Sequence, residues 1–365
     1  MKNVLVFFGG KSCEHDVSVL TGVMTANCLD GNGYNSVPVY VGRNGKWYGG
    51  AELKNLAVYD GKHDFREVTL LPCDEYLYEI KKGKLKRRER ADCILNCMHG
   101  LNGEDGSLAG VARLSGVPLA SPQIFASAVS MDKYFTKIAL AGVRAPFLPY
   151  VRLRRENYYK NKSFAKKLVA KLGLPIIIKP ANLGSSIGIT VVKTAEEFEP
   201  AADLAFRYDD KIVVEKALTN YREINCACYK LGGKYVVSPC EEPFTKNDAL
   251  TFEEKYVTPV EKKFPADLPE STAVRIRELT AYLYRKLEFG GIIRVDYLLD
   301  GDAVYVNEIN SVPGSLAYYL FVNDVGEFGK LLGGIIEEAI ENHRLYESNV
   351  FYYDGGVLTG ENLKK

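Results

Sequence analysis

Arg294 and Asp296 lie two residues apart, and so do Glu308 and Asn310. Each pair falls in a short apolar run, Gly291 to Leu299 and Ala303 to Asn310, and Gly301-Asp302 joins the runs. A spacing of two places residues on one face of a strand, and the Gly-Asp turn predicts a hairpin. Four polar groups then converge on one side, while Ile292, Ile293, Val295, Val304, Val306 and Ile309 fill the apolar positions. Asp296, Glu308 and Asn310 offer oxygen ligands, the donor type that suits Mg²⁺ bound to phosphates. Arg294 can hold a developing negative charge through two parallel hydrogen bonds. A solvent-facing strand pair with a surface ion pair is the plain alternative. The Pro313-Gly314 turn weighs against it, because it bends the chain back toward the same place.

Two lysines, Lys133 and Lys179, add positive charge. Lys179 ends the apolar strand Leu174 to Lys179, just before Gly184-Ser185-Ser186-Ile187-Gly188 and a second strand, Ile189 to Val192. Backbone N–H groups of such a loop can cradle phosphate oxygens, with the lysine as a point charge. Alone, the loop reads more readily as an ordinary flexible hairpin; Lys179 before it and the carboxylates elsewhere favour the phosphate reading. Glu215-Lys216-Ala217-Leu218 closes another buried strand, where backbone groups could meet an adenine edge and Glu215 a ribose. A surface strand end fits that segment as well.

The elements that must position these groups alternate in type. Val4 to Phe8 is a continuous apolar run ending at Gly9-Gly10, as in buried parallel strands. A helix follows, with Asp16 as the expected N-cap. Further strands are expected at Val37 to Val41 and Cys93 to Met98, giving an α/β layered domain. Ligands in such sheets bind beyond the carboxyl ends of strands. Glu14 sits there and could grip an ammonium group; His99, after another strand, could reach the same crevice or be a buried structural histidine. His15 and His63 are expected at the surface. Beyond Ser121-Pro122 the pattern predicts helices over Ile124 to Ala141, Ser271 to Leu287 and Val325 to Asn342. It also predicts a strand at Lys211 to Glu215 and a hairpin of Glu223 to Leu231 with Lys234 to Ser238. A long polar loop is expected over Glu241 to Val260, a length usually tied to function.

Composition narrows the function classes. The 365 residues suit two or three domains, and the net charge of +1 gives no pull toward nucleic acid or a membrane surface. No run of about 18 apolar residues predicts a membrane helix, and the N-terminal run is too short for a signal-peptide core. Eight cysteines without C-x-x-C pairs, beside four scattered histidines, argue against structural zinc and for free thiols in a reducing cytoplasm.

Taken together, the segments resemble the D-alanine–D-alanine ligase family of ATP-grasp enzymes. The matches are Phe8-Gly9-Gly10-x-Ser12-x-Glu14-His15-x-Val17-Ser18, His99-Gly100-x-Asn102-Gly103-Glu104-Asp105-Gly106, Ser130-Met131-Asp132-Lys133 and Ile178-Lys179-Pro180 with Gly184-Ser185-Ser186-x-Gly188. Glu215-Lys216, Glu254-Lys255-Tyr256, Arg294-Val295-Asp296 and Asn307-Glu308-Ile309-Asn310-x-x-Pro313-Gly314 complete the ordered set. The resemblance implies an ATP-grasp fold of three domains. These are an N-terminal Rossmann-like α/β domain (1–121), a small central α+β domain (122–218) and a C-terminal α+β domain (219–345), before a tail (346–365). ATP would lie between the last two. Its adenine would sit near Glu215, Lys216, Ala217 and Leu218, and its phosphates near Lys133, Lys179, Ser185, Ser186 and Lys255. Asp296, Glu308 and Asn310 would hold Mg²⁺ or Mn²⁺, two ions in all. Glu14, Val17, His99, Arg294, Gly314, Ser315 and Tyr319 would contact D-alanine. Tyr256 would close over the site through Ser185 and Glu223. The implied enzyme is a cytoplasmic homodimer that forms D-alanyl-D-alanine for peptidoglycan precursors. A sister ligase taking another second amino or hydroxy acid, and a non-catalytic ligase-like binding protein, are the alternatives.

After Pro313-Gly314 the sequence leaves the family pattern, which continues with Met or Phe, then Thr, two variable residues and Ser. Here it reads Ser315-Leu316-Ala317-Tyr318-Tyr319, with Tyr319 in place of the serine that helps bind the second substrate's carboxylate. The tyrosine matching Tyr256 goes with amine nucleophiles in the family. A Tyr319→Ser variant is therefore expected to change the preference among second substrates, read as product masses from a mixed panel. An unchanged preference would contradict a role for Tyr319 there.

Overall fold

The computed structural model describes residues 1–61, 64–244, 261–353 and 355. Strand β1 (Lys2–Gly9) lies between β2 (Tyr34–Val41) and β7 (Cys93–Asn96) and pairs in parallel with both. Its central place explains the unbroken apolar run, because both faces are covered. Val4, Val6 and Phe8 pack under α1 (His15–Asp30), while Leu5 and Phe7 join Leu108, Ala109 and Ala112 of α2 (Ser107–Ser115).

The sheet does not stop at the parallel strands. It continues antiparallel through β3 (Trp47–Gly49), β4 (Arg66–Leu71), β5 (Asp74–Lys81) and β6 (Lys84–Arg90), giving the order β6-β5-β4-β3-β2-β1-β7. Sequence patterning misses this meander because β5 and β6 are charge-rich, and the edge strand β6 is largely exposed.

Two local expectations need correction. Asp16 is not the N-cap: α1 begins at His15, Glu14 holds the cap position, and Asp16 pairs with Arg43 at 2.7 Å. His15 is buried, not at the surface; its ring nitrogens meet the Gly10 carbonyl at 2.6 Å and the Tyr40 hydroxyl at 3.1 Å. His63 lies outside the described residues.

The helix expected over Ile124 to Ala141 is two helices, α3 (Ile124–Met131) and α4 (Lys133–Gly142), broken at Asp132. Asp132 is extended, and its carboxylate accepts from the Tyr134 and Phe135 amides at 3.0 and 3.2 Å while pairing with Lys211. The break fixes the direction of Lys133, whose amide donates to Ala181 at 2.9 Å.

The central sheet contains β8 (Tyr150–Arg154), β9 (Ile176–Pro180), β10 (Thr190–Val192) and β11 (Lys211–Lys216), in the order β10-β9-β11-β8. Its apolar face is covered by α5 (Arg155–Lys160), α6 (Lys162–Ala170) and α7 (Phe198–Ala205). A third sheet, β13-β12-β16-β17, contains β12 (Arg222–Leu231), β13 (Lys234–Val237), β16 (Ile293–Asp300) and β17 (Ala303–Asn310). The short pair β14 (Glu242–Pro243) and β15 (Lys262–Lys263) borders residues 245–260, so most of the expected long loop lies outside the described residues. Helix α8 (Glu270–Lys286) buries Ile276, Leu283 and Tyr284 against the third sheet.

After Asn310 the chain returns to the first layer. Leu316, Ala317 and Leu320, with Phe328, Leu332, Ile335 and Ile336 of α9 (Val325–Glu347), share a core with Val4, Val6 and Phe8. All eight cysteines are free thiols.

Removing one side of the Asp132–Lys211 pair leaves an uncompensated buried charge. Asp132→Ala, which also removes the cap, is expected to lower stability by about 3–5 kcal/mol in denaturant titration. A loss below about 1 kcal/mol would show that the break at Asp132 is not what holds α4.

Candidate active site

In the β16–β17 hairpin Arg294 faces Asn310 and Asp296 faces Glu308, but Tyr297 pairs with Val306. Asn307 is thus an extra residue, a β-bulge that shifts the side-chain phase by one. Val304, Val306 and Ile309 all enter the apolar core, although 306 and 309 are three apart. In exchange Asn307, Glu308 and Asn310 all line a cleft of about 1160 Å³, with Arg294 and Asp296 opposite. The surface-strand alternative does not hold.

Both Asp296 oxygens accept from Arg294, Nε to Oδ1 at 2.7 Å and the terminal guanidinium nitrogen to Oδ2 at 2.8 Å. Asn310 Nδ2 donates to the same carboxylate at 3.0 Å. Burial opposes the Arg294 charge, but Asp296 and Tyr319 outweigh it and hold its pKa well above the ordinary value. Glu308 lies 3.7 Å from Lys133 Nζ, which donates to the Leu183 carbonyl at 2.7 Å. No group of three His, Cys, Asp or Glu side chains suited to a metal occurs among the described residues. The set is instead two carboxylates and an amide on adjacent strands. A carboxylate has about four lone-pair sites, so Asp296 can keep Arg294 and still offer an oxygen to a cation. Such a sparse oxygen set fits Mg²⁺ that takes its remaining ligands from phosphate and water.

The bulge residue ties this hairpin to the central sheet. Lys179 Nζ donates to Asn307 Oδ1 at 2.9 Å and lies 3.3 Å from Glu215 Oε2. Lys137 Nζ lies 3.3 Å from that same oxygen. Burial opposes the Glu215 charge, but Lys179 and Lys137 prevail and hold its pKa below the usual value. Glu215 Oε1 is buried without a hydrogen-bond partner, in a residue that lines the cleft. Lys216, Ala217 and Leu218 continue the same wall, and Glu223 stands beyond it. Lys216 Nζ itself reaches the Leu174 carbonyl at 2.9 Å. Sequence reading missed Lys137 and Asn307. The signals were the four-residue spacing of Lys133 and Lys137 on one helix, and the broken apolar period between Val306 and Ile309.

The N-terminal layer closes the other side, where Glu14, Val17 and His99 line the cleft. Ser185 donates to Glu14, across the glycine–serine loop. Ser185 and Ser186 have φ of +54° and +58°, and a Cβ on Gly184 would sit 2.7 Å from Glu14 Oε2. A side chain at 184 would have to displace the Glu14 carboxylate.

Gly314, Ser315 and Tyr319 form the cleft wall where the chain turns back. Ser315, Leu316 and Ala317 adopt successive φ of +52°, +49° and +50°. Left-handed backbone costs roughly 1–2 kcal/mol per such residue, so the surroundings must impose it. Burial of Leu316 and Ala317 does part of this. Glu104 does more: it accepts from the Gly100 amide at 3.0 Å, the Val312 amide at 3.0 Å and the Ser311 hydroxyl at 3.1 Å. His99 Nδ1 donates to the Val312 carbonyl at 2.7 Å, and its Nε2 meets the Thr21 hydroxyl at 2.9 Å. The Ser315 amide donates to Thr21 at 3.2 Å. Burial lowers the His99 pKa to about 4, so the ring is neutral and Thr21 is its donor. Glu104 and Thr21 were not among the expected site residues. Lys255 and Tyr256 lie outside the described residues.

Burial, then the Glu14 charge, raise the Glu104 pKa to about 7. A raised carboxyl contributes stability that is present below its ordinary value near 4.3 and lost as pH rises through 7. Melting temperatures should therefore show wild type losing stability relative to Glu104→Gln between pH 5 and 8; parallel curves would contradict a raised Glu104 pKa. His99 acts oppositely, its contribution being lost as pH falls from about 6.5 toward 4.

Among the described residues no helix is long and apolar enough to cross a membrane. Residues 3–122 match the family model "D-ala D-ala ligase N-terminus", and residues 140–341 match "D-ala D-ala ligase C-terminus". The D-alanine–D-alanine ligase of Thermosipho melanesiensis is 34% identical over 98% of both chains. The solved D-alanine-D-alanine ligase from Coxiella burnetii superposes with a TM-score of 0.79 at 26% identity, covering 95% of this chain and 96% of that one. VanG D-Ala:D-Ser ligase from Enterococcus faecalis gives 0.76 at 25% identity, over 94% and 99%. With its ATP-grasp architecture and both halves matched, the chain belongs to the D-alanine–D-alanine ligase family.

Proposed function

We propose that the protein joins two D-alanine molecules at the expense of ATP, releasing ADP and inorganic phosphate, for peptidoglycan precursor synthesis. One observation carries the reading: a single cleft gathers oxygen ligands on the bulged hairpin, Lys133 and Lys179 beside them, and Glu14 on the opposite wall.

A free carboxylate is a poor electrophile. Its oxygen first takes the γ-phosphoryl group, breaking the bond to ADP and forming an acyl phosphate. The second amine then attacks the carbonyl carbon, loses a proton, and phosphate leaves with the bonding pair. Lys133 and Lys179 hold phosphate oxygens as point charges, with the amides of Ser185 and Ser186 beside them. Asp296, Glu308 and Asn310 would hold Mg²⁺, which would supply charge neutralisation at the phosphates. Glu215 and the strand end to Leu218 take the nucleoside. Glu14 holds the first ammonium group. Arg294 and the amide of Gly314 stabilise the tetrahedral oxyanion. The hydrogen bonds from the Ser311 hydroxyl and the Val312 amide to Glu104 support this, since they hold the turn that carries Gly314.

A cytoplasmic homodimer, divided at residues 121 and 218, completes the proposal; the return of residues 312–347 to the first layer adds a second crossing between its parts. The Tyr319 substitution and the likeness to a D-Ala:D-Ser ligase favour one variation, a second amino acid other than D-alanine.

The test is phosphate release from Mg-ATP with and without D-alanine, with the product weighed by mass spectrometry. D-alanine-dependent release with the dipeptide mass is expected. Asp296→Asn and Glu308→Gln should each lower kcat/KM about 100-fold or more. Absence of D-alanine-stimulated release, even with a panel of second amino and hydroxy acids, would overturn the reading.

A further inference from the structure

Lys262, on β15, lines the same cleft as Tyr319 and Arg294. Its Nζ lies 4.7 Å from the centroid of the Tyr319 ring, within cation–π range. It also lies 3.3 Å from Glu241 Oε1. The Glu241 side chain is 2% exposed and the Lys262 side chain 45%, so a buried anion anchors a cation whose head reaches the open cleft. Glu241 is itself fixed: Asn225 Nδ2 donates to its other oxygen at 3.1 Å, and the two residues exchange backbone hydrogen bonds of 2.8 and 2.9 Å.

We infer that Lys262, seated over Tyr319 and tethered by Glu241, binds the carboxylate of the second amino acid. The inference rests on the ligation reading and deepens it. An ammonium has three donors, and Glu241 lies on one side only, so a second carboxylate can be received from the cleft. Tyr319 is too large to act as the small hydroxyl of the family pattern. Its ring serves instead as the platform that holds Lys262 at the cleft. The bond-making step is unchanged: the amine nitrogen bonds to the acyl carbon and inorganic phosphate departs.

Hydroxylamine separates this role from a structural one, because it is a nucleophile with no carboxylate. Full-length wild type, Lys262→Met, Lys262→Arg and Tyr319→Ala would be assayed with ATP and D-alanine, alone and with hydroxylamine. Dipeptide and D-alanyl hydroxamate are then quantified separately. Lys262→Met is expected to raise the KM for D-alanine as nucleophile about tenfold or more, with the hydroxamate rate within about twofold of wild type. Lys262→Arg should recover most of the loss, and Tyr319→Ala should shift the same KM upward. An equal fall in both products, or an unchanged nucleophile KM in Lys262→Met, would overturn the inference while leaving ligation intact. A wild type that makes neither product would remove the ligation reading and this inference together.

Discussion

The candidate site depends on one extra residue. Without the bulge at Asn307, strict alternation along β17 would send Glu308 to the same face as Val304 and Val306 and bury it in the core. The bulge returns both Glu308 and Asn310 to the cleft and turns Ile309 inward. It also leaves Asn307 to reach Lys179 on another sheet. A local irregularity therefore sets both the oxygen-ligand geometry and a link between the two sheets that enclose the cleft.

The remaining order follows from charges that burial forces into partnership. Lys137, Lys179 and Glu215 are almost fully buried, and each would be costly alone. Together they leave net positive charge where phosphates are proposed to sit, and one Glu215 oxygen without a partner. On the opposite side Glu104, neutral His99 and Thr21 pin a turn that pays for three left-handed residues. That turn belongs to the end of the third sheet yet is held by the first layer. Strain in the wall beside Arg294 is thus supported from outside the sheet that carries the ligands.

Much of this was legible in the sequence, and the failures have physical causes. The parity of Arg294 with Asp296 and of Glu308 with Asn310 gave a correct shared face. The bulge between the pairs was also encoded, as an apolar spacing of three where two was due, yet a motif reading passes over it. Glu14, Ser185 and Glu215 were recognisable from their places at strand ends and in the loop. Lys137 and Thr21 were not, because each is a lone polar residue in a helix, and only packing shows what it faces. Charge-rich edge strands hid the meander of the first sheet. Asp132 hid a helix break, because a single aspartate reads as an interior residue until its carboxylate is seen on the Tyr134 and Phe135 amides.

The most direct measurement is a crystal structure with ADP, phosphate and Mn²⁺, with the ions placed by their anomalous scattering. The account predicts manganese peaks bridging phosphate oxygens to Asp296, Glu308 and Asn310, with Lys133 and Lys179 on the phosphates and the Asn307 bulge retained. Nucleotide bound elsewhere, or ions that leave these three side chains untouched, would contradict it.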